Sequence, residues 1–167
     1  QAYETGNRSL VVRGFSKDYG LVSMMAKGLL RKGKEQARSA MQPLQLTEVS
    51  LSMSDKSDLA ILRDQQLIDP FPKLHRHLDE IALASLMADC AVSGAEQQHE
   101  SAVIFEALLE ILQSIEAGVW KDSPADIVAA FCRLILYQGY EPQLVPELTK
   151  PWPKDRPRPA CFQFDLP

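Results

Sequence analysis

Apolar positions change their spacing twice along the chain. In the first third they come in short runs. Residues 8–15 (RSLVVRGF) and 20–27 (GLVSMMAK) are β-branched or apolar and are separated by Lys17-Asp18-Tyr19-Gly20, which has turn chemistry. A polar, basic stretch follows over 28–39. Residues 43–53 then alternate, with Leu44 and Leu46 in one phase and Val49, Leu51 and Met53 in the other. The slip at Thr47-Glu48 predicts a bulge. After the polar loop Ser54–Ser57, residues 59–63 (LAILR) form another candidate strand. Short strands separated by turns predict a small all-β barrel or sandwich.

The period becomes helical after Asp69-Pro70-Phe71-Pro72. A helix is expected over 73–92 with Pro72 in its first turn. Its apolar face would be Leu74, Leu78, Ile81, Ala82 and Ser85, widened by Leu83, Met87 and Cys90. Residues 98–117 carry the clearest stripe: Ile104, Leu108, Ile111 and Ile115, widened by Phe105 and Leu112. Glu106, Glu110 and Gln113 lie opposite. Gly118 is a plausible stop. Ser123-Pro124-Ala125-Asp126 reads as an N-cap, a proline at the first helical position and an early acid. Ile127, Val128, Phe131, Leu134 and Ile135 would face inward, and Gly139 would supply a left-handed cap. Beyond it, Pro142, Pro146, Pro151, Pro153, Pro157 and Pro159 predict an extended linker or tied-down loop. The strand-to-helix change places a β domain at 1–69 and a helical domain at 70–167.

Composition bounds what these elements can be. The chain has 167 residues, 46% of them apolar, which is enough for a packed core and excludes a wholly disordered or collagen-like chain. No apolar run is long enough to span a membrane, and QAYETGNRSL lacks the basic-then-apolar order of a secretory leader. Cys90, Cys132 and Cys161 are odd in number and widely spaced, as expected of reduced thiols in a cytoplasmic protein. The net charge of −4 conceals an asymmetry. Residues 1–46 carry eight Lys/Arg against three acids, a net of +5, and the remainder carries −9. A basic head on an acidic body suits two modules with different partners, the head attracting a polyanion that the body repels.

No catalytic spacing stands out: GxSxG, Walker A, GxGxxG and HExxH are all missing from the sequence. His75 and His77 sit two apart, which turns the rings to different sides of a helix, whereas zinc-binding helices use a spacing of four. Cys90 and Cys132 lie in apolar helical stretches and read as packing residues. Glu106 and Glu110 are one turn apart on a polar face, where paired carboxylates lack the burial that splits their pKa values. The positive signal is Lys27, Arg31, Lys32, Lys34 and Arg38, five cations in one segment between strands. Neutralising phosphates takes several cations on one surface. Single-strand binding also uses aromatic platforms. Tyr3, Phe15 and Tyr19 are the candidates, although aromatics on strands more often belong to the core.

The run YETGNRSLVVRGFSKDYGLVSMMAKGLLRKGK (3–34) resembles the amino-terminal domain of the RecO family of DNA repair and recombination mediators. The likeness continues through Met41-Gln42-Pro43-Leu44 and through Leu67-Ile68-Asp69-Pro70-Phe71-Pro72-Lys73-Leu74. It ends with Leu134-Ile135-Leu136-Tyr137-Gln138-Gly139-Tyr140-Glu141-Pro142, so the ordered matches span residues 3–142. The resemblance implies an α+β chain: an OB-fold β-barrel at 1–69, then an all-α helical domain. It implies a non-enzymatic factor without a cofactor. Such a factor binds single- and double-stranded DNA without sequence preference, anneals strands, and helps load recombinase onto strands coated by single-stranded-DNA-binding protein (SSB). The implied partners are RecR and the SSB C-terminal tail, in the cytoplasm at the bacterial nucleoid. Lys27, Arg31, Lys32, Lys34 and Arg38 carry over as DNA contacts, with Arg8 and Arg13 as weaker ones. The family adds a strand before Tyr3 and more helix beyond Pro167. Some members hold a four-cysteine zinc site; here only Cys161 occupies that region, so no metal is expected.

The alternative is a protein-binding helical adaptor whose β domain leaves nucleic acid alone. Salt discriminates the two, because phosphate binding weakens steeply with ionic strength and apolar binding does not.

Overall fold

A computed structural model of the chain describes residues 2–5, 9–29, 33, 39–54, 57–95, 101–121 and 124–140. Five strands form one sheet: β1 (Ala2–Thr5), β2 (Ser9–Ser16), β3 (Gly20–Ala26), β4 (Leu46–Ser54) and β5 (Ser57–Asp69). Their spatial order is β1-β2-β3-β5-β4. All neighbours are antiparallel except β3 and β5, which run parallel. The sheet is open, with β1 and β4 at its edges; no ladder closes it into a barrel among the described residues.

The alternation of β2 and β3 decides which face is buried. Val12, Met24 and Ala60 stand in one row across three strands. With Val22, Ala26, Leu29 and Met41 they form a core under that face. Two expectations about the strands are corrected. β1 is an additional strand, and four residues are too few to show an alternating pattern. β5 runs well past the expected 59–63, because pairing with β4 carries it to Asp69. The expected irregularity near Thr47 is present as a register shift between Leu46 and Thr47.

Three helices follow: α1 (Leu78–Ser93), α2 (Ala102–Ala117) and α3 (Pro124–Tyr137). α2 buries the predicted stripe, with Leu108, Ile111, Leu112 and Ile115 all in the core. Gly118 ends it at φ 79, a left-handed turn that lets its N–H reach the Ile115 carbonyl at 2.9 Å. Gly139 has φ 86 just past α3, as its sequence position predicts.

The first helix differs from expectation. Instead of starting at Pro72, the chain makes a single 3-10 turn at Leu74–Arg76, straightens at His77, and only then enters α1. The apolar face is rephased as well. Ala84, Met87 and Ala91 are buried together with Glu80, whereas Leu78 is 82% exposed and Ala82 is also exposed. In α3, Leu134 and Ile135 are buried but Val128 is exposed.

The linker between sheet and helices is anchored rather than loose. Asp69 Oδ1 accepts the Phe71 N–H at 2.9 Å, and Phe71 takes φ 46, unusual for a residue with a Cβ. That turn drives Phe71 and Leu74 into the helical core, where both are almost wholly buried. Glu116 at the end of α2 accepts the backbone N–H groups of Lys73 and Leu74, the shortest contact being 2.7 Å. The other end of the sheet is fastened too. The Ser101 N–H donates to the Lys17 carbonyl at 3.1 Å, and Lys17 Nζ meets Glu106 Oε1 at 2.6 Å.

Candidate nucleic-acid interface

Period-two alternation puts Val11, Arg13 and Phe15 of β2 on the face opposite the sheet core, together with Leu21, Ser23 and Met25 of β3. The two ends of this face have different fates. At the β2–β3 turn, Phe15 packs against the helical core, its ring 6.1 Å from that of Phe105. Phe15 is therefore committed to packing and does not serve as a stacking platform. Tyr19, at the tip of the same turn, is 46% exposed and keeps an accessible ring. The side chain of Tyr3 lies outside the described residues.

Of the predicted cations, two are described. Arg13 is exposed on β2 opposite Ser23. Lys27 is exposed and is the first residue after β3, in the turn that leads into the basic segment. Among the described residues neither has a carboxylate within ion-pairing reach. Arg13 and Lys27 are four strand positions from one another along β3, counting from Ser23, which is about 13 Å. Arg8, Arg31, Lys32, Lys34 and Arg38 lie outside the described residues. Within their segment only Gly33 is described, with φ 80.

An exposed cation of the sheet escaped the sequence reading. Arg63 sits in β5, and its Nη2 donates to Ser52 Oγ at 3.3 Å. A lone arginine ending an apolar run carries no spacing signal, and only the strand register shows its surroundings.

The thiols are poor candidates for chemistry. Burial pushes the Cys90 pKa up, which holds it as the less nucleophilic thiol. Cys132 is half-buried in α3, and Cys161 lies outside the described residues. His75 and His77 are both exposed. Among the described residues no helix is long and apolar enough to cross a membrane.

Residues 1–71 match the family model described as "Recombination protein O N terminal". The chain is 26% identical over 136 residues to the DNA repair protein RecO of Syntrophus aciditrophicus, covering 81% of this chain and 51% of that protein. It is 24% identical over 150 residues to the DNA repair protein RecO of Christiangramia forsetii, covering 86% and 59%. Against the DNA repair protein RecO of Xanthomonas euvesicatoria the identity is 35% over 66 residues, 40% of this chain and 27% of the other. The chain thus spans 51–59% of the length of the first two relatives.

Proposed function

We infer that this chain belongs to the RecO family and acts in DNA repair and recombination as a non-enzymatic mediator that binds DNA through its β domain. The observation that carries this reading is the coincidence of the family match over residues 1–71 with the part of the chain that holds the net positive charge. Arg13 and Lys27 are exposed there without carboxylate partners among the described residues, as cations meant for phosphates would be. Arg8, Arg31, Lys32, Lys34 and Arg38 complete the proposed contact set.

The β domain, residues 1–69, is read as an OB-type barrel. The five-strand order with a single parallel pair supports it, as a partly open five-stranded Greek-key barrel. Residues 70–167 form the helical domain of this reading. Contacts to phosphates position a strand without reading its bases, so binding is independent of sequence. Two strands held on one basic surface with their charge reduced can anneal without any covalent chemistry. The acidic helical body stays off the DNA and serves protein partners, which in this reading are RecR and the SSB C-terminal tail. The whole would assist recombinase loading on SSB-coated strands at the nucleoid.

The test is fluorescence anisotropy of a labelled single-stranded oligonucleotide over a salt series. With about six phosphate contacts, log affinity against log salt has a slope near −4. Replacing Arg31, Lys32 and Lys34 with Ala weakens binding and flattens the slope. Absence of binding at low salt by the folded protein overturns the reading in favour of a protein-binding adaptor.

A further inference from the structure

We propose that Arg63 of β5 is a phosphate contact that works beside Lys27, so that the DNA surface is built from two distant segments of the chain. The proposal rests on the DNA-binding reading above and deepens it.

The register carries the argument. β3 and β5 run parallel, with Ser23 beside Leu59, Met24 beside Ala60 and Met25 beside Ile61. Two positions beyond that last pair stand Lys27 on one strand and Arg63 on the other. Adjacent strands lie about 4.8 Å apart. The two cationic stems therefore leave neighbouring strands at the end of the sheet where β3 passes into the basic segment. This is the end opposite the β2–β3 turn, where Phe15, Lys17 and Ser101 fasten the sheet to the helices.

A bulge aims the side chain. In the β4–β5 ladder Leu51 pairs with Leu62, but Ser50 pairs with Asp64, so Arg63 is the inserted residue. A bulge frees a residue from the alternation and redirects its side chain. The Arg63 guanidinium leans on Ser52 Oγ and is exposed. Among the described residues it has no carboxylate within ion-pairing reach. Asp64 is back in register opposite Ser50, on the far side of the bulge. The β3 pairing of β5 stops at Ile61, so Arg63 stands just beyond the last paired position on that side of the strand.

The test measures oligonucleotide anisotropy over a salt series for the parent protein and for R63Q, R63K and K27A. R63Q keeps a donor for Ser52 while removing the charge. The expected result is that R63Q and K27A each weaken low-salt binding about three- to tenfold and reduce the slope by about 0.7 to 1, while R63K keeps the parent slope. Thermal melts matched to the parent exclude unfolding as the cause. If K27A loses affinity and slope while R63Q binds as the parent does, Arg63 is outside the surface and the DNA-binding reading stands. If the parent shows no salt-dependent binding, that reading fails and this proposal fails with it.

Discussion

On the helices, part of the charge is spent internally. Glu110 of α2 faces Arg133 of α3 across 3.5 Å, Glu106 holds Lys17 at 2.6 Å, and Glu116 takes the backbone N–H groups of Lys73 and Leu74. On the sheet, Arg13, Lys27 and Arg63 are exposed without acidic partners among the described residues. The apolar side chains divide in the same way. One cluster lies under the sheet around Val22 and Met24, and another fills the helical bundle around Ile115 and Leu134. The contrast teaches where charge is available to a partner. The acids of the bundle work partly as internal fasteners, one of them on Lys17 beside the sheet, whereas Arg13, Lys27 and Arg63 have no acidic partner among the described residues.

The largest expected effect comes from the bundle core. Leu134 is fully buried, and Leu134→Ala removes most of its side chain from a packed site. The expected loss is about 2–5 kcal/mol in a urea or thermal unfolding curve. Leu78→Ala, on a residue 82% exposed, is expected to change stability by no more than about 0.5 kcal/mol. Equal losses at the two sites would break the assignment of the bundle's inside and outside.

That pair of substitutions also marks where sequence pattern stopped being informative. The pattern in α2 is legible because its large apolar residues are the buried ones. In α1 the pattern misleads, because small Ala84 and Ala91 let the helices approach while Leu78 and Leu86 remain outside. Spacing weighs side chains by hydrophobicity, and close helix packing selects by size. β2 and β3 were legible as short apolar runs separated by a turn, and Gly118 and Gly139 from their stop positions. The basic segment was legible as composition alone. The position of Arg63 was not, because a parallel pairing between β3 and β5 joins residues far apart in sequence and leaves no local periodicity.

A smaller effect tests the fastener between sheet and bundle. Glu116→Ala leaves the N–H groups of Lys73 and Leu74 without their carboxylate. The expected cost is about 1–3 kcal/mol, toward the lower end because the Lys73 contact is exposed. Glu116→Gln, which keeps one acceptor oxygen, is expected to cost less. If both variants melt with the parent, the clasp contributes nothing to holding Leu74 in the core. The ion pair at the other end is weaker still. Lys17 and Glu106 are each about half exposed, so Glu106→Gln is expected to cost less than about 1 kcal/mol.

The smallest effect is a pH dependence confined to the bundle. Burial raises the Cys90 pKa, so the folded protein ionises this thiol at higher pH than the unfolded chain does. Below the ordinary thiol value of 9.0 both states hold the proton, and the contribution to stability is fully present. As pH rises past that value the unfolded chain loses its proton first, and stability falls until the folded thiol also ionises. The sheet core contains no cysteine, so this alkaline loss belongs to the bundle. Unfolding curves from neutral to alkaline pH for the parent and for Cys90→Ala are expected to diverge only above the ordinary thiol value, with the variant declining less. Parallel curves throughout would mean that Cys90 is as well solvated in the fold as in the unfolded chain, and that the α1–α3 contact is looser than its half-buried position indicates.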